Sequence, residues 1–335
     1  MSFDRLLGQD RAVERLRAVI ANGRVPSAML FLGPHGVGKR TAALQFAKAL
    51  NCAERPGEGC GVCLSCRRIS EGVHPDVEVT APDGQFIKID QVRAIAERLA
   101  LIPAEARRRV MIVHRAERMN AAAANAFLKT LEEPPSNTTL VLTAPSPSLL
   151  PETIVSRCMP LRFVPLARDT IELLLAREGK LPDEERVFAV RHSQGRLRPE
   201  LRQGAGKLMV LRDAALRTLE ELDRVDYASL AEQAGKWTGG DDWPFVLECM
   251  ETWYHDLALL GGGAEESLLI NEDRREALRA WQPRVPPARA SACLEAVLAT
   301  RDRMQLNVNK GLALETLCLS LKSLTQGERP SWMTD

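Results

Sequence analysis

Two hydrophobic periods alternate along the first half of the chain. Ala12, Val13, Leu16, Val19 and Ile20 recur at helical spacing and stop at Asn22-Gly23, a left-handed C-terminal cap. Ala28 to Leu32 is an unbroken apolar run that meets Gly33, and from Arg40 onward Ala43, Leu44, Ala47 and Leu50 restore the helical period. Val77 and Val79 alternate with polar neighbours. Asp90 is placed to cap a helix carrying Val92, Ile95, Ala96 and Leu99, which Pro103 closes. Val110 to Val113 predicts another strand, followed by Asn120 as a cap and a helix through Ala124, Phe127, Leu128 and Leu131 up to Pro134-Pro135. Leu140 to Leu142 is a further apolar run, and Leu161 with Phe163 a last short strand. Strands and helices in alternation predict an α/β fold, a parallel sheet covered on both faces.

Strand signals fade after Pro165. Helical segments near 169–177 and 183–192, a break at Gly195 and a short helix predict a small helical domain over 166–207. From Leu208 the chain reads as helix, interrupted at Gly239-Gly240, Gly261-Gly262-Gly263 and Pro283 to Pro287, which gives an all-helical domain over 208–335 behind a first domain of 1–165.

Composition narrows the function. Lys plus Arg number 45 against 44 Asp plus Glu, a formal charge of +1, so no excess of cations exists to track a duplex. Only 4% of residues are aromatic, which disfavours a nucleic-acid module built on stacking. The opening MSFDRLLGQD lacks an apolar signal core and no stretch approaches bilayer length, so a cytoplasmic protein without membrane contact is expected.

Gly33-Pro34-His35-Gly36-Val37-Gly38-Lys39 has the spacing and the strand-to-helix setting of a phosphate-binding Walker A loop. Gly33, Gly36 and Gly38 would let backbone N–H groups converge on one anion, with Lys39 reaching the outer phosphates. Such loops place Ser or Thr after the Lys to ligate magnesium. Arg40 stands there, and Thr41 is about 100° further round the helix. At the end of the Val110–Val113 strand, where Asp-Glu normally handles metal and water, the chain has His114-Arg115. With the metal ligands and the base replaced by cations, no intrinsic ATPase is expected, while nucleotide binding through Lys39 and the glycine amides stays open.

Cys52, Cys60, Cys63 and Cys66 gather four of the eight cysteines within 15 positions. Two-residue gaps and the slack of Pro56, Gly57 and Gly59 suit a structural, tetrahedral Zn2+ site. Disulfides fit poorly with a cytosolic chain, and a ferredoxin-like cluster lacks its downstream Cys-Pro. His74, in His74-Pro75-Asp76, reads as a turn residue more than a ligand, and Cys158, Cys249, Cys293 and Cys318 read as core or interface positions.

Taken together, Gly8-Gln9, the Walker-type loop, the four-cysteine insert, Asn125-Ala126-Phe127-Leu128-Lys129-Thr130-Leu131-Glu132-Glu133-Pro134-Pro135, Ser156-Arg157-Cys158, and Asn307-Val308-Asn309 with Leu312, Ala313, Leu314 and Leu317 resemble the delta-prime subunits of the bacterial DNA polymerase III clamp loader, of the AAA+ superfamily. The resemblance covers nearly the whole chain. The related gamma/tau ATPase subunits share the insert, the Leu-Glu-Glu-Pro stretch and the Ser-Arg-Cys triplet, but carry Lys-Thr and Asp-Glu where this chain has Lys39-Arg40 and His114-Arg115.

The resemblance implies an AAA+ P-loop domain with a zinc insert over 52–66, a helical lid and a C-terminal collar. It implies a non-hydrolysing component of a DNA polymerase holoenzyme, partnered with gamma/tau and delta subunits and, through the complex, with the sliding clamp and primed DNA. Arg157 would act as an arginine finger in trans, and Arg198 matches the sensor 2 position, with a purely structural role left open. Glu132-Glu133-Pro134 reads as an acidic helix end. The alternative is a gamma/tau-type ATPase with atypical metal ligands.

Overall fold

The computed structural model describes residues 3–222, 224–239, 242–304 and 308–327. They form two compact units, one of residues 1–180 with 193–202 and the other of residues 181–192 with 203–335. The segment 166–207 is thus shared between the two.

The first unit is built on five parallel strands, β1 (Ala28–Leu32), β2 (Val77–Thr80), β3 (Arg109–Val113), β4 (Thr138–Ala144) and β5 (Met159–Arg162), in the order β2-β3-β4-β1-β5. Every residue of β1, β3 and β4 is buried, as expected where helices cover both faces of a parallel sheet. One face, with Met29, Phe31, Ile112 and Val141, packs on α1 (Asp10–Ala21) and α2 (Lys39–Asn51). In the insert that follows α2 lies α3 (Leu64–Glu71), a helix the periodicity did not signal. The other face, with Leu30, Leu32, Met111 and Leu140, packs on α4 (Ile89–Ala100) and α5 (Ala121–Glu132). A single turn, α6 (Glu152–Val155), precedes β5, and α7 (Arg168–Glu178) closes this part of the chain.

Two boundaries differ from expectation. Asn120 does cap α5, its Oδ1 accepting from Ala123 N at 2.8 Å, but α4 starts one residue before Asp90. Ile87 is drawn into a parallel bridge with Met119, which leaves Lys88 extended as the cap, its N–H donating to Gln91 Oε1 at 3.0 Å. The last strand ends at Arg162, although Phe163 N still donates to Leu32 O at 2.7 Å.

The second unit is helical. It comprises α8 (Asp183–His192), α10 (Ala205–Glu220), α11 (Tyr227–Gly239), α12 (Trp243–Gly261), α13 (Arg275–Trp281), α14 (Pro287–Met304) and α15 (Lys310–Gln326), while α9 (Pro199–Gln203) spans the boundary. α12 packs on α10 and α14, and α15 on α11 and α14. Trp253 and Trp281 meet edge to face with ring centroids 6.4 Å apart. Buried Asp256 accepts from the Ile270 and Asn271 amides and from Asn271 Nδ2, and Arg212 bridges Asn271 and Asp273. Asn309 caps α15 through Leu312 N, while Asn307 and Gly240 lie outside the described residues.

Candidate functional site

The phosphate-loop motif sits at the carboxyl edge of the sheet, between the end of β1 and α2, where ligands of open α/β sheets bind. Gly33 has φ 147° and lies so close to β5 that a Cβ would stand 2.4 Å from Phe163 O. Gly36, at φ 81°, lies close to Leu197, where a Cβ would stand 3.0 Å from Leu197 N, and that N–H donates to Gly36 O at 3.1 Å. That contact brings the segment bearing Arg198 against the loop. Gln9 secures the other side, its Nε2 donating to Val164 O at 2.7 Å and Val37 O at 3.3 Å while its Oε1 accepts from Val164 N at 3.1 Å. Gly8-Gln9 is thus structural, tying the loop to the end of β5.

Lys39 is buried and turned back on its own loop, Nζ donating to the carbonyls of Gly33 and Pro34, the latter at 2.6 Å. Burial lowers its pKa to about 8, opposed by the charge of Glu117. Arg40 and Thr41 are both exposed. At the end of β3, His114 Nδ1 pairs with Thr143 Oγ1 at 3.1 Å, and the same hydroxyl accepts from Arg115 N at 3.0 Å. His35 and His114 are both held near pKa 4, first by burial and then by the surrounding cations, among them Lys39 and Arg115. Both imidazoles are neutral at pH 7, with Lys39 and Arg115 acting on each of them, and Arg40 on His114, as nearby positive charges. A divalent cation would meet that repulsion and find no carboxylate at positions 114 and 115.

One carboxylate escaped sequence reasoning. Arg115 adopts a left-handed conformation at φ 59°, and the 3-10 turn Ala116–Arg118 that follows swings Glu117 inward. Its side chain is 7% exposed, its Oε1 lies 3.7 Å from both His35 Nε2 and Arg115 Nε, and neither oxygen has a hydrogen-bond partner among the described residues. Burial raises its pKa, countered by its own amide and by the charges of Arg115, Arg118 and Lys39. A Gly or Asn at 115 would have signalled the turn; an Arg gives no such sign.

The four cysteines converge at the opposite edge. Cys52 follows α2, Cys63 caps α3 and Cys66 lies in its first turn, and the four sulfurs all fall within 4.8 Å of one another. Cys52 Sγ and Cys63 Sγ are 3.9 Å apart, close to the ~3.8 Å edge of a sulfur tetrahedron around zinc. Backbone N–H groups of Arg55 and Cys60 point at Cys52 Sγ, and those of Val62 and Cys63 at Cys60 Sγ, all at 3.2–3.4 Å, which favours thiolates. The donor set is therefore compatible with zinc. His74 is engaged elsewhere, its Nε2 3.2 Å from Ser65 Oγ and its Nδ1 accepting from Asp76 N at 3.1 Å.

Arg157 also lies at this opposite edge, two residues before β5 begins. Its guanidinium donates to Thr153 O at 3.0 Å and to Glu132 Oε1 at 2.8 Å, so the end of α5 and the turn α6 hold it at the surface. A five-residue strand separates the two edges, about 16 Å. The structure brings Gly33, Gly36, Gly38, Lys39 and the Arg198 segment together and keeps Arg157 and the cysteines apart from them.

Comparison with known proteins supplies the family. A family model described as DNA polymerase III, delta subunit, matches residues 8–167. The chain is 32% identical to DNA polymerase III subunit delta' of Bacillus subtilis over 94% of its own length and 96% of that protein, and 32% identical to the Pseudomonas aeruginosa subunit delta' over 89% and 92%. It is also 34% identical to Bacillus subtilis subunit tau, but over 55% of this chain and 32% of that protein. The likeness to the two delta' subunits runs through sheet, loop and helical unit alike at 32% identity: the chain belongs to the DNA polymerase III delta-prime family.

Proposed function

We propose that this chain is a non-hydrolysing clamp-loader subunit that presents Arg157 to the nucleotide of a neighbouring gamma/tau-type ATPase, and so helps load the sliding clamp on primed DNA. The observation that carries the reading is the placement of Arg157 at the sheet edge opposite its own phosphate loop, about a strand length away. Any phosphate this guanidinium meets belongs to another molecule. A fixed cation of this kind stabilises the charge that develops during phosphoryl transfer. The working organisation is a P-loop-like domain over 1–165, a lid over 166–207 carrying Arg198, and a collar over 208–335 that joins gamma/tau and delta subunits in the cytoplasm.

The ATPase alternative has one point in its favour, the inward-facing Glu117 carboxylate. It stands three residues beyond His114, in a cationic setting, and Arg40 is exposed where a metal-binding hydroxyl would be needed. Both features favour the non-hydrolysing reading. The test is Arg157→Ala in the reconstituted complex: assembly stays normal, and turnover at the facing site falls by about a thousandfold. Unchanged ATP turnover in the assembled complex removes the finger role.

For the insert we propose one structural Zn2+ held by Cys52, Cys60, Cys63 and Cys66, which would staple the chain between α2 and α3 and take no part in chemistry. One zinc per chain by metal analysis, reduced to none in Cys63→Ser, is the expected result. A metal-free, fully folded protein purified without chelator contradicts it.

A further inference from the structure

Glu117 is the part of the loop region that the proposed function leaves unused. Its carboxylate is more than nine-tenths buried, yet both oxygens lack a hydrogen-bond partner among the described residues. A buried ion in that state is tolerated only where opposite charge surrounds it. Here the opposite charge comes from Arg115, whose Nε lies 3.7 Å from Oε1, and from Arg118 and Lys39, which act on its ionisation, while the neutral His35 of the loop also lies 3.7 Å from Oε1. Those groups include the lysine that, in a working loop, faces phosphate. Lys39 meanwhile has its ammonium satisfied by the Gly33 and Pro34 carbonyls.

We propose that Glu117 is a specificity-determining residue that supplies the phosphate loop with its own anion, so that the loop rejects the phosphates of a nucleotide. A triphosphate entering between Gly36 and Lys39 would bring negative charge against a carboxylate that the structure holds inward, 7% exposed. Neutralising Glu117 removes this repulsion and leaves the cations of the loop without their counter-charge, which turns the site into an anion receptor. The inference rests on the reading of residues 33–39 as the loop of a non-hydrolysing subunit.

The test is calorimetric titration of the full-length chain with ATP, and separately with inorganic triphosphate, each with and without magnesium. Glu117→Gln is expected to bind both at least tenfold more tightly than the wild type, without requiring magnesium, and the double variant Glu117→Gln, Lys39→Ala is expected to lose the gain. Glu117→Ala serves as a second probe, with thermal melts to confirm folding of each variant. Binding by Glu117→Gln no tighter than by the wild type overturns the proposal, as does a gain that survives loss of Lys39. A gain for triphosphate without one for ATP also overturns it, since then the carboxylate does not guard a nucleotide site. ATP hydrolysis by the isolated wild-type chain would instead bring down the non-hydrolysing reading, so the two failures are distinguishable.

Discussion

Asp76 and Glu117 are buried carboxylates at opposite edges of one sheet, and their surroundings differ in every respect. Asp76 precedes β2 at the amino edge and is fully satisfied: it accepts from the amides of Ala104, Glu105 and Ala106 at 2.8–2.9 Å and from Arg109 Nη2 at 2.7 Å. Arg109 in turn donates to the carbonyls of Arg98, Leu101 and Ile102, so one ion pair fastens the 98–106 segment to the start of β3. Although burial alone would raise its pKa, these donors hold Asp76 well below the usual carboxylate range. Glu117, at the carboxyl edge, has charges nearby but neither of its oxygens has a hydrogen-bond partner among the described residues, and its pKa is raised. The amino edge uses its polar groups to hold the fold. At the carboxyl edge, where chemistry is normally done, a charge is left uncompensated in detail, and such a charge points to function.

The largest effect should separate the two. Asp76→Ala leaves the Arg109 guanidinium and three amides without their acceptor and is expected to cost about 3–5 kcal/mol, read from urea unfolding at pH 7. Glu117→Gln should stay within about 1 kcal/mol of the wild type. The pH dependence carries the same contrast. A depressed folded-state pKa means that the contribution of Asp76 is present above about 3.9, its unfolded value, and is lost as pH falls below it. Glu117, with a raised pKa, gives a destabilising contribution that is relieved as pH falls. Wild type should therefore lose stability below pH ~4 more steeply than Asp76→Ala, whose slope lacks that group. Equal losses for the two variants, or identical acid slopes for wild type and Asp76→Ala, would erase the distinction.

The two edges were not equally legible in the sequence. The sheet followed from apolar runs such as Ala28–Leu32, because a strand buried on both faces needs an unbroken run. The loop glycines and the cysteine cluster were legible because their chemistry demands fixed residue types at fixed spacing. Asn120 was legible as a cap because its side chain acts on an amide three residues on. What escaped depends on the third dimension. Asp76 finds its donors 28–30 residues away, beyond any local pattern. Glu117 faces inward because of a single left-handed residue of a type that rarely adopts that conformation. α3 is short, and its burial comes from Cys66 and Ile69, too few positions for a period to show. Arg157 could be singled out by motif, but only the topology places it beyond reach of its own loop.

The smallest effect bears on how Glu117 is held. The left-handed backbone at Arg115 costs about 1 kcal/mol for a residue with a side chain, which glycine would not incur. Against that cost it places a guanidinium 3.7 Å from Glu117, a pair in which Arg115 is 41% exposed and which is therefore well screened. If that pair fastened Glu117 as Arg109 fastens Asp76, Arg115→Gly would destabilise markedly despite the relief of strain. Because no hydrogen bond joins the two side chains, relief of strain should roughly offset the lost counter-charge and the greater freedom of glycine in the unfolded chain, and Arg115→Gly is expected to stay within about 1 kcal/mol of the wild type. The backbone N–H of residue 115 still reaches Thr143 Oγ1, so the turn keeps its anchor in the variant. A loss of about 2 kcal/mol or more, by contrast, would mean that Glu117 is fastened by its neighbour much as Asp76 is, and the contrast between the edges would fail at its weakest point.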